Sequence, residues 1–274
     1  MDRLLSVVVS VYNEEKALED FYKETTGILK DIDWAYELIF VNDGSSDQSL
    51  AILERLSASD RAVKVVSFSR NFGHEAAMIA GLDYSSGDGI ICMDADLQHP
   101  PECIPVILNR LTQGYEVINM VRIKNRTAGL VKNITSSGFY WLINRISDVH
   151  FEANASDFFA VSRHVAQVLK NSYREKVRFL RGYVQNVGFK KTAIEYEARA
   201  RVAGESKYSI KKLFVFSINT ILCFSNMPLK LGIYAGIFSA LLGLAVMIYT
   251  LCTRKRCSQR LCHHCCVDLS LCLP

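Results

Sequence analysis

Ile90-Ile91-Cys92-Met93-Asp94-Ala95-Asp96-Leu97-Gln98-His99-Pro100-Pro101-Glu102 is the stretch whose reading decides the fold. An apolar run ends in two carboxylates spaced i, i+2, and two prolines then stop any regular continuation. In a strand, a period of two turns Asp94 and Asp96 to the same side. Two adjacent carboxylates repel unless something positive lies between them. A hard divalent cation holding a phosphorylated substrate resolves that conflict.

Working outward, the same pattern repeats. Leu4 to Val11 is a Val-rich run of the kind found in parallel sheets covered on both faces, and it ends at Tyr12-Asn13-Glu14-Glu15. A helical pattern follows to about Lys30. Tyr36 to Val41 is closed by Asn42-Asp43-Gly44-Ser45-Ser46-Asp47, and Gln48 to Ser57 reads as a helix. Val63 to Phe68 leads into Ser69-Arg70-Asn71-Phe72-Gly73-His74-Glu75 and an Ala- and Met-rich helix to Tyr84. Gly89 to Met93 is the fourth strand. Strands alternating with helices at this spacing predict a doubly wound, mostly parallel sheet. Ligands of such sheets bind beyond the carboxyl ends of the strands, where each polar cluster falls. Tyr12 can stack on or bond a base, Glu14 and Asp43 can accept from base or ribose, and Asp94 with Asp96 can hold a metal on a diphosphate. Asp43 to Asp47 also reads as a turn with a helix N-cap. There is no Gly-x-Gly-x-x-Gly and no Gly-Lys-Ser/Thr loop, which argues against a dinucleotide fold and a P-loop kinase.

Composition narrows the class. The chain has 274 residues, 50% of them apolar, and 32 basic against 28 acidic residues leave +4, too mild to argue for nucleic acid. Met1-Asp2-Arg3 leads straight into a strand, so no signal peptide and a cytosolic N-terminus are expected. Of nine cysteines, only Cys92, Cys103 and Cys223 precede Cys252, which marks the main body as an ordinary reduced protein.

Ser6 to Glu15, Val41 to Asp47 and Asp94 to Glu102 together resemble inverting family 2 glycosyltransferases with a GT-A fold. They resemble most the polyprenyl-phosphate branch, the dolichyl-phosphate mannose synthases and bactoprenol glucosyltransferases, over residues 4 to 252. That resemblance implies a hexosyltransferase. The expected donor is UDP-glucose and the acceptor undecaprenyl phosphate, with GDP-mannose and dolichyl phosphate as the alternative pair. An inactive truncated membrane homologue is a further alternative. Processive relatives carry a Gln-x-x-Arg-Trp segment that is not present. By resemblance, Ser10, Tyr12, Glu14, Val41, Asp43, Asp94, Arg201 and Lys207 contact the nucleotide sugar. Asp94, Asp96 and Gln98 form the shell of Mg2+ or Mn2+, and Arg122 with Ser206 meets the acceptor phosphate. Asp96 and Asp157 are the catalytic candidates, Asp157 facing the acceptor phosphate as base or orienting carboxylate. A lipid phosphate is already largely ionised near neutral pH, so a strong base is not required. Ser10 stands where the family usually has proline, predicting a softer strand end, and Asn42 replaces a frequent aspartate. In Arg199-Ala200-Arg201-Val202-Ala203-Gly204-Glu205-Ser206-Lys207, two cations and a hydroxyl beside a glycine suit a closing loop that stabilises a departing diphosphate.

Asn119 to Arg122 reads as a short strand, residues 131 to 146 and 177 to 187 as helices, and Phe189 to Glu197 as an edge strand. The expected organisation is a cytosolic catalytic domain over 1–208, an amphipathic interface helix over 209–228 and a transmembrane helix over 229–252. Leu231 to Leu251 carries no charge and recurring small residues, as in helices that pack in lipid. An irregular Cys-rich tail over 253–274 completes the chain. Its His263-His264-Cys265-Cys266 lacks zinc-site spacing. Permitted codons for Arg256 to Asp268, read one nucleotide later, give a Pro-Gly turn and an apolar run. The tail is therefore expected to be a frameshifted remnant of a second membrane helix, the intact pattern being multi-pass. Expected partners are a nucleotide sugar, a polyprenyl phosphate and the membrane, but no nucleic acid, and a homo-oligomer stays open.

Overall fold

The computed structural model describes residues 3–123, 155–173, 179–199 and 227–269. The expected helix of 131–146, the amphipathic stretch up to residue 226, and Arg201, Ser206 and Lys207 lie outside the described residues. The chain divides into two compact units, Met1–Phe224 and Ser225–Pro274.

The first unit is built on one sheet. Its strands are β1 Leu4–Val11, β2 Ala35–Asn42, β3 Val63–Ser67, β4 Gly89–Asp94, β5 Val117–Arg122, β6 Ala155–Ser162 and β7 Lys191–Tyr196. Between them run α1 Leu18–Leu29, α2 Ser49–Ser59, α3 His74–Tyr84, α4 Ile104–Thr112, α5 Arg163–Ser172 and α6 Leu180–Asn186. The spatial order is β3-β2-β1-β4-β6-β5-β7, and the strands run parallel except β6, which is antiparallel to both its neighbours. The doubly wound, mostly parallel sheet is thus as expected, with β7 at an edge.

Alternation along the strands divides the core. Leu5, Val7, Val9 and Val11 of β1 join Leu18 and Phe21 of α1 and Leu53 of α2 on one face. Val8 packs with Ile39, Val41 and Cys92 against Ala77 and Met78 of α3 on the other. Burial on both faces is why these strands read as unbroken apolar runs. The reversed strand β6 is new relative to the sequence reading, which assigned residues 156–163 no secondary structure. Its Phe158 and Ala160 face one cluster and Phe159 and Val161 the other, as a strand in mid-sheet must.

The second unit is α7, Met227–Leu269, one uninterrupted helix. This corrects the expected irregular tail over 253–274, since helix continues through Leu269. No glycine or proline lies between Gly243 and Pro274 to end it, and Arg254, Lys255, Arg256, Gln259, Arg260 and Leu261 are all favourable in helices. Within it Leu229–Thr253 is 25 residues long with a mean hydropathy of 2.2. At about 1.5 Å per residue that is roughly 37 Å, long enough to cross a hydrocarbon core of about 30 Å.

Candidate active site

The carboxyl ends of β1, β2, β3 and β4 and the amino end of β6 form one rim. Ser10 and Asp94 are register partners across β1 and β4. The Ser10 hydroxyl lies 3.0 Å from Asp94 Oδ1 and 2.8 Å from His74 Nδ1. A hydroxyl has one proton, and an ionised carboxylate can only accept. Ser10 therefore donates to Asp94 and accepts from a protonated His74 Nδ1. The softer strand end expected at Ser10 is not found: β1 stays in register there with Val41 on one side and Asp94 on the other. A proline at this position could supply neither hydrogen bond.

The period-two argument for Asp94 and Asp96 does not describe what happens, because β4 ends at Asp94 and a turn begins. Asp94 is part-exposed, whereas Asp96 is 5% exposed and accepts from the Gln98 backbone N–H at 3.0 Å. The turn is made by Leu97 at φ +61°, a region that L side chains seldom occupy. Strain of this kind, of order 1–3 kcal/mol, persists where surrounding contacts hold it and concentrates at functional sites. His99 supplies part of that hold. Its Nδ1 accepts from the Asp94 backbone N–H at 3.0 Å, and its ring stacks on Phe158 at 5.0 Å with Tyr196 edge-on.

The reversal of β6 brings the acceptor-side candidate to the same rim. With Cys92 opposite Phe159, the antiparallel register carries Asp157 to the level of Asp94. Asp157 Oδ1 is 3.3 Å from Arg181 Nε, and its Oδ2 is 3.9 Å from His74 Nε2. Burial alone would raise the Asp157 carboxyl, but Arg181, His74 and His99 outweigh it and hold it below the usual carboxylate range. His74 shows the converse. Burial would lower it, yet Asp94, Asp157 and Glu75 outweigh burial and the Arg181 charge and raise it. His74, with its protonated form favoured, thus links two carboxylates carried at the same level by the neighbouring strands β4 and β6.

Glu75 stands behind this row and accepts the Leu180 N–H at 2.8 Å, fastening the start of α6. Burial and the charge of Asp157 push its carboxyl up to about 7 against the opposing pull of His74, Leu180 and Arg181. A raised carboxyl favours folding in its protonated form. That contribution is complete below the ordinary value of 4.5 and is lost as the pH rises through about 7. Glu75→Gln keeps an acceptor for Leu180 and removes the titration. The variant is expected to gain thermal stability over wild type at pH 8 and to lose that advantage at pH 4.5, as melting curves at the two pH values would show.

The remaining candidates sit on adjoining loops. The loops after β1 and β2 brace each other: Asn13 N–H donates to Ser45 Oγ at 3.0 Å, Ser46 N–H to Asn13 Oδ1 at 2.8 Å, and Glu14 N–H to Ser49 Oγ at 3.0 Å. Tyr12 stands exposed on this wall. Asp43 is buried, and its two oxygens accept the backbone N–H groups of Phe72 and Gly73 at 2.7 and 2.9 Å. It fixes the approach to His74, a positioning role that the sequence reading did not assign. Val41 is fully buried in the core, so its side chain is not on the rim. Arg122 is exposed at the carboxyl end of β5.

Gly44 makes the Asp43 clamp feasible. Its φ is +66°, and a Cβ there would lie 2.4 Å from the Arg70 carbonyl carbon. Gly44→Ala is expected to cost about 1–3 kcal/mol and to weaken nucleotide binding by displacing the loop that leads to His74. Denaturant unfolding and calorimetric titration with UDP would read the two effects. A variant with wild-type values in both would refute the close approach.

Asp94 and Asp96 offer hard oxygen donors, the set that suits Mg2+ or Mn2+. No cluster of three or more His, Cys, Asp or Glu side chains poised for a metal occurs among the described residues. One or two protein carboxylates supplemented by substrate phosphates is the usual arrangement for such ions, and the residues fit it. His74, Glu75 and Arg181 are the members of the site that sequence reading missed as site residues. The first two lay in plain view at a strand end. Arg181 gave no signal, since it comes from a helix remote in sequence.

The glycosyl transferase family 2 profile matches residues 6–177. An uncharacterised glycosyltransferase of Bacillus subtilis is 42% identical over 90% of this chain and 76% of its own length. A bactoprenol glucosyl transferase of Shigella phage SfV is 39% identical over 86% of this chain and 76% of its own length. Glucosyl-3-phosphoglycerate synthase of Mycobacterium tuberculosis, solved with Mn2+, UDP-glucose and phosphoglyceric acid, superposes with a TM-score of 0.53. It is 20% identical over 80% of this chain and 77% of its own, a likeness that shows the GT-A-like fold.

Proposed function

Because the chain belongs to glycosyl transferase family 2, we propose that it transfers a hexose, glucose from UDP-glucose, to a polyprenyl phosphate such as undecaprenyl phosphate. Transfer takes place at the cytosolic face of a membrane that Leu229–Thr253 enters. The observation that carries the reading is the unbroken row Ser10, Asp94, His74, Asp157 and Arg181 along one rim. In this reading Asp94 serves the diphosphate and Asp157, at the same level on the next strand, serves the acceptor. The bactoprenol glucosyl transferase relatives support the lipid acceptor.

In this reading a phosphate oxygen of the lipid attacks the anomeric carbon. The bond from that carbon to the diphosphate breaks, and its electron pair leaves with the nucleotide, giving an inverted, β-linked product. Asp94, Asp96 and Gln98 would hold Mg2+ or Mn2+, which when bound supplies positive charge to the leaving diphosphate. Ser10 and His74 fix Asp94, while Tyr12, Glu14 and Asp43 border the nucleotide. Arg201 and Lys207 add cations to the leaving group, and Arg122 and Ser206 meet the acceptor. Asp157 orients the acceptor and abstracts no proton, because the attacking oxygen is already ionised near neutral pH.

Membranes containing the protein, given undecaprenyl phosphate and a panel of radiolabelled nucleotide sugars, are expected to move label from UDP-glucose into the lipid fraction. EDTA should stop the transfer and Mn2+ or Mg2+ restore it. Label moving from GDP-mannose instead would replace the donor in this reading. No transfer to polyprenyl phosphate from any donor would refute it.

A further inference from the structure

We propose that Ser10 and His74 form a latch on Asp94 that offers one carboxylate oxygen, Oδ2, to a divalent cation, and that this latch makes the site prefer Mg2+ and Mn2+ to Ca2+. This rests on the reading above, in which Asp94 helps to hold the metal. What is added are the positioning residues that set how Asp94 is presented, and the ion that this presentation selects.

Three elements build the latch. Ser10 lies near the carboxyl end of β1, opposite Asp94 of β4, and His74 opens α3. His74 Nδ1 lies 2.8 Å from Ser10 Oγ, which in turn lies 3.0 Å from Asp94 Oδ1. A hydroxyl that accepts from the imidazole directs its one proton to the carboxylate. His74 thereby sets the direction of the Ser10 O–H, and hydrogen bonds in such a chain strengthen one another. The start of α3 is itself fixed, because Asp43 accepts the Phe72 and Gly73 N–H groups just ahead of His74.

The second oxygen of Asp94 is treated differently. The Asp94 backbone N–H donates to His99 Nδ1 at 3.0 Å, so that nitrogen carries no proton. It therefore cannot donate to Oδ2, from which it stands 3.8 Å away. Among the described residues no hydrogen bond reaches Oδ2, and the Asp94 side chain is 29% exposed. Asp94 is thus pinned at its main chain and at Oδ1, with Oδ2 as its uncommitted oxygen.

Coordination chemistry turns this asymmetry into selectivity. Ca2+ gathers roughly six to eight oxygens and readily takes both oxygens of one carboxylate. Mg2+ demands a near-octahedral shell and is held through one or two carboxylates together with substrate phosphates. Mn2+ shares that hard-oxygen, octahedral preference. A carboxylate offering one oxygen meets the second demand. To chelate Ca2+ through both oxygens, Asp94 would have to break its bond to Ser10 and turn.

Binding of Mn2+ to the full chain in detergent, with UDP present, tests the latch without reference to turnover. The loss of the free-ion EPR signal reads Mn2+ affinity, and displacement by Ca2+ reads selectivity. Wild type is expected to hold Mn2+ and to release it only to a large excess of Ca2+. Ser10→Ala should weaken Mn2+ binding by about ten- to a hundredfold, the usual effect of losing a partner that orients a metal ligand. Ca2+ binding should weaken less, because Asp94 can then turn, so the Mn2+-to-Ca2+ affinity ratio should fall by about tenfold. His74 cannot take over from the hydroxyl, since its Nδ1 is 3.5 Å from Oδ1 and the Asp43 clamp holds the start of its helix. Ser10→Thr, which keeps the hydroxyl, should keep both the affinity and the ratio.

An unchanged ratio in Ser10→Ala, with melting curves showing a folded protein, would overturn the proposal. So would a folded Ser10→Thr that loses the ratio as Ser10→Ala does, since the hydroxyl would then not be the group that matters. Asp94→Asn checks the reading beneath it. If wild type binds Mn2+ with UDP and Asp94→Asn binds it equally well, Asp94 is no metal ligand, and that assignment fails before the latch does.

Discussion

Asp96→Asn is expected to lower hexose transfer about a thousandfold, or roughly 4 kcal/mol of transition-state stabilisation, while changing folding stability by less than about 1 kcal/mol. The asymmetry follows from geometry. Asp96 is buried in the Leu97 turn, and its Oδ1 accepts the Gln98 N–H at 3.0 Å. Asparagine keeps an oxygen for that bond, so the strained turn can persist. The negative charge is lost, and with it the attraction for a divalent cation on the diphosphate. Radiolabel transfer alongside melting curves would test the pair of expectations. A variant that retains a tenth of wild-type activity would remove Asp96 from the chemistry, and one that fails to fold would mean the turn depends on the charge itself.

Glu37→Ala is expected to give the largest loss of stability, about 3–5 kcal/mol. Glu37 lies at the opposite end of the sheet from the crevice, with its side chain 6% exposed. It accepts from Ser6 Oγ at 2.5 Å, from Ser86 N–H at 2.8 Å and from Ser86 Oγ at 2.9 Å, and it pairs with Lys64 at 2.5 Å. Alanine would leave the buried Ser6 hydroxyl without its acceptor, remove the partner of Ser86 and Lys64, and open a cavity between β1, β2 and the turn before β4. Burial alone would raise the Glu37 carboxyl, but Lys64, Ser6 and Ser86 outweigh it and lower it below 4.5. Its contribution is therefore present above the ordinary carboxylate value and is lost as the pH falls through the lowered one. Denaturant unfolding of the two proteins at neutral pH and in acid should show the gap narrowing in acid. Glu37→Gln, which keeps shape and two hydrogen-bonding ends, should cost less. Equal losses from both substitutions would place the effect in the charge and not in the cavity.

The two residues illustrate different kinds of legibility. Asp96 announces itself by a local pattern, an apolar run ending in Asp-x-Asp and prolines, so its importance can be read without a fold. Its geometry cannot, since the strand stops at Asp94 and a positive-φ leucine sets the direction of Asp96. Glu37 lies within an ordinary strand sequence and gives no signal. Its significance comes from Ser6 and Ser86, which are distant in sequence and meet it only when β1, β2 and β4 lie side by side.

Asp43 and Ser10 show the same division. Asp43 was legible as a candidate from its place after a strand, but its clamp on Phe72 and Gly73 depends on a loop that follows another strand. Ser10 reads as a substitution that weakens a strand end. In the folded chain it joins His74 to Asp94, because parallel pairing of β1 with β4 makes it the register partner of Asp94.

By itself, then, the sequence determined the alternation of strands and helices, the rim on which polar clusters gather, the Asp94–Asp96 motif and an apolar stretch of membrane-crossing length. These are periodic or local properties, fixed by residue type over a few positions. The tertiary structure alone decided that β6 runs backwards, that Asp157 thereby reaches the level of Asp94, and that His74 and Arg181 lie between and beside the carboxylates. Pairing direction and contacts between distant segments depend on how the whole sheet closes its core, and no short window of residues encodes that.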